Sequence, residues 1–174
     1  MELMRFLITI VFELFLMVVI LRVWLQAARA DFYNPVSQFV VKATNPLVLP
    51  LRKVIPMVGV WDLATIVLAL LVSIAKFVTL YAVHGYPMIW SDILLVGVLS
   101  AVSQFLQLLF WIVIIRALLS WFAQGYNPMQ AILVQLTEPF LAPIRRIIPP
   151  LGGLDLSVLV LVIGIQALRI LIGI

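Results

Sequence analysis

A chain of 174 residues that is 66% hydrophobic and 10% charged lies far outside soluble composition, where apolar residues are just under half and charged ones about a quarter. With a mean hydropathy of +1.27 it reads as an integral membrane protein, so its formal net charge of +4 belongs at helix ends and lipid headgroups, with no nucleic-acid partner. Having no cysteine excludes disulfides, iron–sulfur clusters, thiolate zinc sites and covalent haem, and the lone histidine, His84, excludes bis-histidine haem within one chain.

The first apolar run predicts a spanning helix over residues 3–28. Arg5 and the Ala28-Arg29-Ala30 run resemble parts of a signal peptide. The apolar stretch exceeds the about 7–15 residues of a signal core, however, and Glu13 and Arg22 interrupt it, so it is read as retained. Asn34-Pro35 is a helix start, asparagine capping and proline suiting the first turn. Residues 36–43 are too short to span and carry Ser37, Gln38 and Lys42, which predicts an interfacial element. Asn45-Pro46 repeats the start signal, and residues 47–55 form a second short element. Pro50, one turn after Pro46, needs a first-turn place or a kink. Pro56 ends that element, Gly59 permits a reversal, and Asp62 caps a second spanning helix over 63–83.

The connector 84–90 carries no lysine or arginine, and Tyr81, Tyr86 and Trp90 give it an aromatic belt. A long third helix is predicted over 91–123, closed by Gly125. Asn127-Pro128 then reopens the earlier pattern. Asp155 caps a fourth helix over 156–174, whose length of roughly 28 Å barely equals one hydrocarbon thickness.

Two stretches spell T-x-P-x3-P-x-R-[KR]-x2-P-x2-G-x2-D without a gap. The first is Thr44, Pro46, Pro50, Arg52, Lys53, Pro56, Gly59 and Asp62. The second is Thr137, Pro139, Pro143, Arg145, Arg146, Pro149, Gly152 and Asp155. A fixed register over so many punctuating residues points to internal duplication. The expected fold is an all-α membrane protein of four transmembrane helices arranged as two repeats, residues 1–90 and 91–174. Each is helix, proline-rich interfacial segment (34–62 or 127–155), helix. An even number of spans per unit makes the repeats parallel. Arg22, Arg29, Lys42, Arg116 and the motif cations share one face, which the positive-inside rule places in the cytoplasm, with both termini outside.

Charges at depth are costly and mark structure or function. Glu13 lies roughly 22 Å along helix one from the cytoplasmic end, and Lys76 roughly 21 Å along helix two, which predicts an ion pair. Gln107 and Arg169 occupy the matching places in the second unit, with Gln104 and Gln166 beside them. One reading is an ion or proton path. The other is a set of self-satisfied pairs, with Arg22 and Arg116 snorkelling to the surface. The second is preferred, because no chain of carboxylates or histidines could relay a proton.

The proline segments also admit two readings: re-entrant half-helices aimed at an anion, or amphipathic interfacial elements. The second fits better, because apolar and basic residues alternate without a glycine-rich unwound stretch. Arg52, Lys53, Arg145 and Arg146 would then hold anionic phospholipid or a membrane-protein partner. For catalysis there is no nucleophile elbow, phosphate loop or metal cluster. Asp62 and Asp155 could be paired carboxylates, but their place before an apolar run suits helix caps better. The sequence predicts no enzyme, no cofactor and no metal.

At these residues the chain resembles the YggT family of small bacterial membrane proteins. The resemblance rests on Asp31-Phe32-Tyr33-Asn34-Pro35, Ser37-Gln38-Phe39, the Pro50-to-Pro56 run, and Pro143-to-Pro149 with Gly152 to Asp155, and it covers nearly the whole chain. It implies a Gram-negative inner-membrane protein without established catalytic activity. Bacterial members are associated with osmotic-stress tolerance and with membrane or division organisation. Chloroplast and cyanobacterial relatives are linked to cytochrome b maturation and nucleoid distribution, but one histidine and no cysteine give this chain no means of handling haem itself. The expected function is a non-enzymatic scaffold or assembly factor. The alternative is an oligomeric ion channel or transporter with a Glu13/Lys76 and Gln107/Arg169 interior, in which Gly97, Ser100 and Ala101 supply a close-packing face between copies.

Overall fold

The computed structural model describes residues 2–122, 127–148 and 155–173. It contains α1 (Glu2–Ala27), α2 (Pro35–Arg52), β1 (Met57–Val58), β2 (Trp61–Asp62), α3 (Leu63–His84), α4 (Trp90–Phe122), α5 (Pro128–Ile147) and α6 (Leu156–Ile172). Three helices are long and apolar enough to cross a membrane: α1, α3 and the Trp90–Ser120 part of α4. The 17 residues of α6 are equally apolar but reach only about 26 Å. Gly125, Pro149 and Gly152 lie outside the described residues.

Water-driven burial does little between helices in lipid, so packing and hydrogen bonds hold this bundle together. Leu16, Val19 and Ile20 of α1 pack on Val48 of α2 and on Leu68 and Ala69 of α3. One turn further along, Trp24 and Leu25 join α1 to Val113 of α4, Leu136 of α5 and Ile165 of α6. Trp24 centres this second cluster. Its ring lies 5.2 Å from Phe105 and 5.9 Å from Phe140, and its indole N–H donates to the Leu136 carbonyl at 3.1 Å.

Three helices end with a residue in the left-handed region, Gly173 (φ 76°) closing α6. After α3 that residue is Gly85 (φ 69°), whose N–H donates to the Ala82 carbonyl while Tyr86 N–H donates to Tyr81. Tyr81 and Tyr86 then close edge to face at 5.8 Å, the apolar contact that accompanies this ending. After α1 the residue is Arg29 (φ 50°), with Arg29 N–H bonded to Gln26 and Ala30 N–H to Leu25. An arginine stands where glycine would be unstrained.

The proline stretch departs from expectation. Residues 36–43 and 47–55 are not two short elements, because α2 runs unbroken through both Pro46 and Pro50. α5 runs likewise through Pro139 and Pro143. Each interior proline removes one helix hydrogen bond and crowds the preceding turn. The Arg22 guanidinium braces the turn before Pro46 from outside, donating to Val41 O at 3.3 Å, Thr44 Oγ1 at 2.6 Å and Asn45 Oδ1 at 2.9 Å. The buried faces of the two helices share three matched positions, Val40, Thr44 and Val48 on α2 and Leu133, Thr137 and Leu141 on α5, and α5 buries Ile132 and Leu136 as well.

Beyond α2, Met57–Asp62 forms a two-stranded hairpin, Met57 opposite Asp62 and Val58 opposite Trp61. Gly59, at φ 61°, is the first residue of its two-residue turn, where a positive φ is required.

Candidate functional site

Asn34 and Asn127 cap the proline helices, accepting from Val36 N–H at 3.0 Å and Met129 N–H at 2.9 Å, with Pro35 and Pro128 as the first helical residues. Asn34 also donates to the Pro128 carbonyl at 2.8 Å, joining the start of one proline helix to the start of the other.

Each proline helix is pinned by an arginine from the preceding long helix. Arg22 does not snorkel; it is 3% exposed and spends its donors on α2. Arg116 likewise turns inward, bonding the Thr137 hydroxyl and Glu138 Oε2, the latter at 2.9 Å. Thr44 and Thr137 pass a hydrogen bond back to the Val40 and Leu133 carbonyls, each at 2.6 Å. Sequence reasoning missed this arrangement and missed Glu138. The available signal was a threonine two residues before an interior proline in both copies.

An ion pair also closes each proline helix onto the helix that follows. Arg52 Nη2 lies 2.5 Å from Asp62 Oδ2, and Arg145 Nη2 lies 2.5 Å from Asp155 Oδ2. Burial would push the Asp62 carboxyl up, but hydrogen bonds from Arg52 and Thr65 outweigh it and hold the group below its usual range. Asp155 follows the same pattern, with Arg145 and Ser157 as donors. Arg145, bonded to Asp155 and Glu138, is held more firmly protonated. As caps the two aspartates differ. Asp155 accepts from Ser157 N–H at 3.1 Å, whereas the Asp62 side chain makes no capping bond and is committed to Arg52 and the Thr65 hydroxyl.

The motif cations therefore separate into two kinds. Arg52 and Arg145 are engaged within the chain. Lys53 and Arg146, next to them, are exposed, as are Lys42 and Arg29. Where α1, the hairpin, α4 and α5 meet, Trp24, Trp61, Phe105, Pro139 and Phe140 line an open apolar cleft of about 310 Å3.

Of the polar residues at depth, the structure brings together Glu13 and Lys76. Lys76 Nζ lies 3.2 Å from Glu13 Oε1 and 2.8 Å from Ser100 Oγ, with the Phe77 ring 4.8 Å away. Gln107 and Arg169 are not joined. Gln107 is exposed, and Arg169 Nε is buried without a hydrogen-bond partner. Gln107 departs from its first-unit counterpart Glu13 in having no charge to offer a cation. The small residues of α4 are occupied within the chain, since the Gly97 carbonyl accepts from Ser73 Oγ at 2.7 Å and Ala101 is buried. They offer no face to a second copy. Among the described residues no cluster of potential metal ligands occurs.

The CCB3/YggT family model matches residues 1–83 and 95–174, and so takes in both proline helices. The chain belongs to the CCB3/YggT family. A relative in Vibrio alginolyticus, described as a protein of the proC 3′ region, is 55% identical over 172 residues, covering 98% of this chain and 93% of that protein. The YggT protein of Escherichia coli K12 is 43% identical over 164 residues, covering 94% of this chain and 85% of its own. A Pseudomonas aeruginosa relative is 42% identical over 166 residues, covering 92% and 83%. No solved structure matches the chain. In this member of the family the doubled motif lies on two arginine-pinned proline helices.

Proposed function

We propose that the protein is a non-enzymatic scaffold of the bacterial inner membrane that recruits a membrane-protein partner or anionic phospholipid through the exposed cations of its two proline helices. In this reading four helices span the bilayer as two parallel repeats, with α6 short enough to thin the membrane around it. The proline helices lie on the cytoplasmic surface, and both termini are periplasmic. The observation that carries the reading is the division of labour in each Arg-Lys or Arg-Arg pair. One cation is locked to an aspartate and fixes the helix, while its neighbour, Lys53 or Arg146, is left exposed. A headgroup or acidic partner meets that free charge on a rigid platform, which reduces the ordering cost of binding.

The transport alternative has weaker support. Lys76 already has a carboxylate, a hydroxyl and an aromatic ring around it. The family resemblance makes growth at high osmolarity the phenotype to score. Replacing Lys53 and Arg146 with glutamine is expected to abolish retention of the partner or of anionic lipid, and osmotic tolerance with it, while membrane insertion stays intact. Full retention by the double variant would overturn the proposal.

A further inference from the structure

α2 and α5 are pinned by the same arginine, but the charge around the two pins differs. Arg116 meets Glu138 at 2.9 Å, and Arg145 meets both Glu138 and Asp155, so two cations face two carboxylates. In the first unit Arg52 has Asp62. Arg22, buried, makes no ion pair among the described residues, and its bonds go to the neutral oxygens of Val41, Thr44 and Asn45. Asn45 stands 93 positions before Glu138, where the second unit keeps its shared carboxylate. A buried guanidinium without a carboxylate leaves a positive charge uncompensated, which is costly.

That charge is relayed outward. Because the Asn45 Oδ1 accepts from Arg22, the amide turns its NH2 the other way, and that NH2 bonds no acceptor among the described residues. Asn45 lines an open groove of about 490 Å3 beside Lys42, with Phe32, Val41, Pro46 and Leu49 as apolar walls. Lys42 is exposed, and no acidic side chain lines the groove. The matching places on α5 lack this chemistry. Gln135 stands for Lys42 and Ala142 for Leu49, and the Gln135 Oε1 accepts from Asp31 N–H at 3.1 Å.

One lysine and one amide polarised by a buried arginine converge on a single anion. With α2 at the cytoplasmic membrane surface, as the proposed function has it, the anion that also covers four apolar residues is a lipid phosphate. We propose that the Lys42–Asn45 groove holds the phosphate of one anionic phospholipid, with an acyl chain along Phe32, Pro46 and Leu49. The phosphate supplies from outside the negative charge that Glu138 supplies within the second unit. A free phosphate would meet the same donors and leave the apolar walls bare.

Native mass spectrometry of the full-length protein in mild detergent tests this, with phosphatidylglycerol as the anionic probe and phosphatidylcholine as the neutral one. The expected result is a single phosphatidylglycerol retained in preference to phosphatidylcholine. Asn45→Glu, which gives the first unit the carboxylate of the second, is expected to weaken that retention about tenfold or more. The same change is expected to raise the melting temperature of the lipid-free protein. Lys42→Gln is expected to weaken retention about fivefold. Equal retention by the natural chain and both variants overturns the proposal, as does the absence of any preference for phosphatidylglycerol. Displacement of the lipid by millimolar inorganic phosphate would make the groove a free-anion site and overturns it too. The variant with glutamine at positions 53 and 146 separates this groove from the proposed function. Lipid lost there but kept in Asn45→Glu overturns the groove and leaves recruitment by Lys53 and Arg146 standing. Lipid kept there and lost in Asn45→Glu supports the groove and counts against those two cations as the lipid site.

Discussion

Arg52 and Asp62, ten residues apart, form a 2.5 Å ion pair that fastens the end of α2 to the start of α3, with the Asp62 side chain fully buried. Removing the carboxylate leaves a guanidinium without its main partner, so Asp62→Ala is expected to cost about 2–3 kcal/mol. Lys53→Ala, one residue along but exposed, should cost less than about 0.5 kcal/mol. Thermal unfolding of the two variants in detergent separates the locked cation from the free one. Equal losses would contradict the division of labour.

The same carboxylates set the response to acid. Asp62 and Asp155 have depressed pKa values in the folded state, so in the interval between folded and unfolded values the unfolded chain binds more protons. Their contribution is thus complete above the ordinary aspartate range and is lost as pH falls through the depressed values. The melting temperature should decline as pH drops from about 5 towards 2, and Asp62→Asn with Asp155→Asn should flatten that decline. A double variant with the unchanged slope would show that other groups dominate.

Arg29 holds a left-handed backbone at φ 50° in a helix ending that Gly85 performs without strain. Arg29→Gly is expected to raise stability by about 0.5–1 kcal/mol, and Gly85→Ala to lower it by about 1 kcal/mol. Opposite signs in a denaturation assay are the check.

Gly97 lets α3 approach α4 closely, and any side chain there meets Ile74. Gly97→Val should destabilise by about 1–3 kcal/mol through overpacking, and Ile74→Ala on the same background should recover part of it. Additive losses would mean that the two residues do not share the contact.

Much of this fold was legible because its punctuation is local. Asn34 and Asn127 read as helix starts and act as caps, and equal depth along two helices sufficed to pair Glu13 with Lys76. The continuity of α2 was not legible. A local rule makes Pro46 and Pro50 stops, and the side chain that braces the turn before Pro46 comes from Arg22, more than twenty residues earlier. Glu138 was missed for a related reason. It occupies a variable motif position, matched by Asn45 in the first copy, and only folding shows it shared by Arg116 and Arg145 at 2.9 and 2.7 Å. Matching Gln107 to Arg169 carried the first unit's geometry into a unit that lacks the carboxylate.

Site-specific photo-crosslinking from positions 53 and 146 in native membranes, read by mass spectrometry, tests the scaffold most directly. The account predicts a reproducible protein or anionic-lipid adduct at both positions, with far less when the reactive group is moved to Thr137, buried under Arg116. Adducts spread evenly over neutral lipid, indifferent to position, would contradict it.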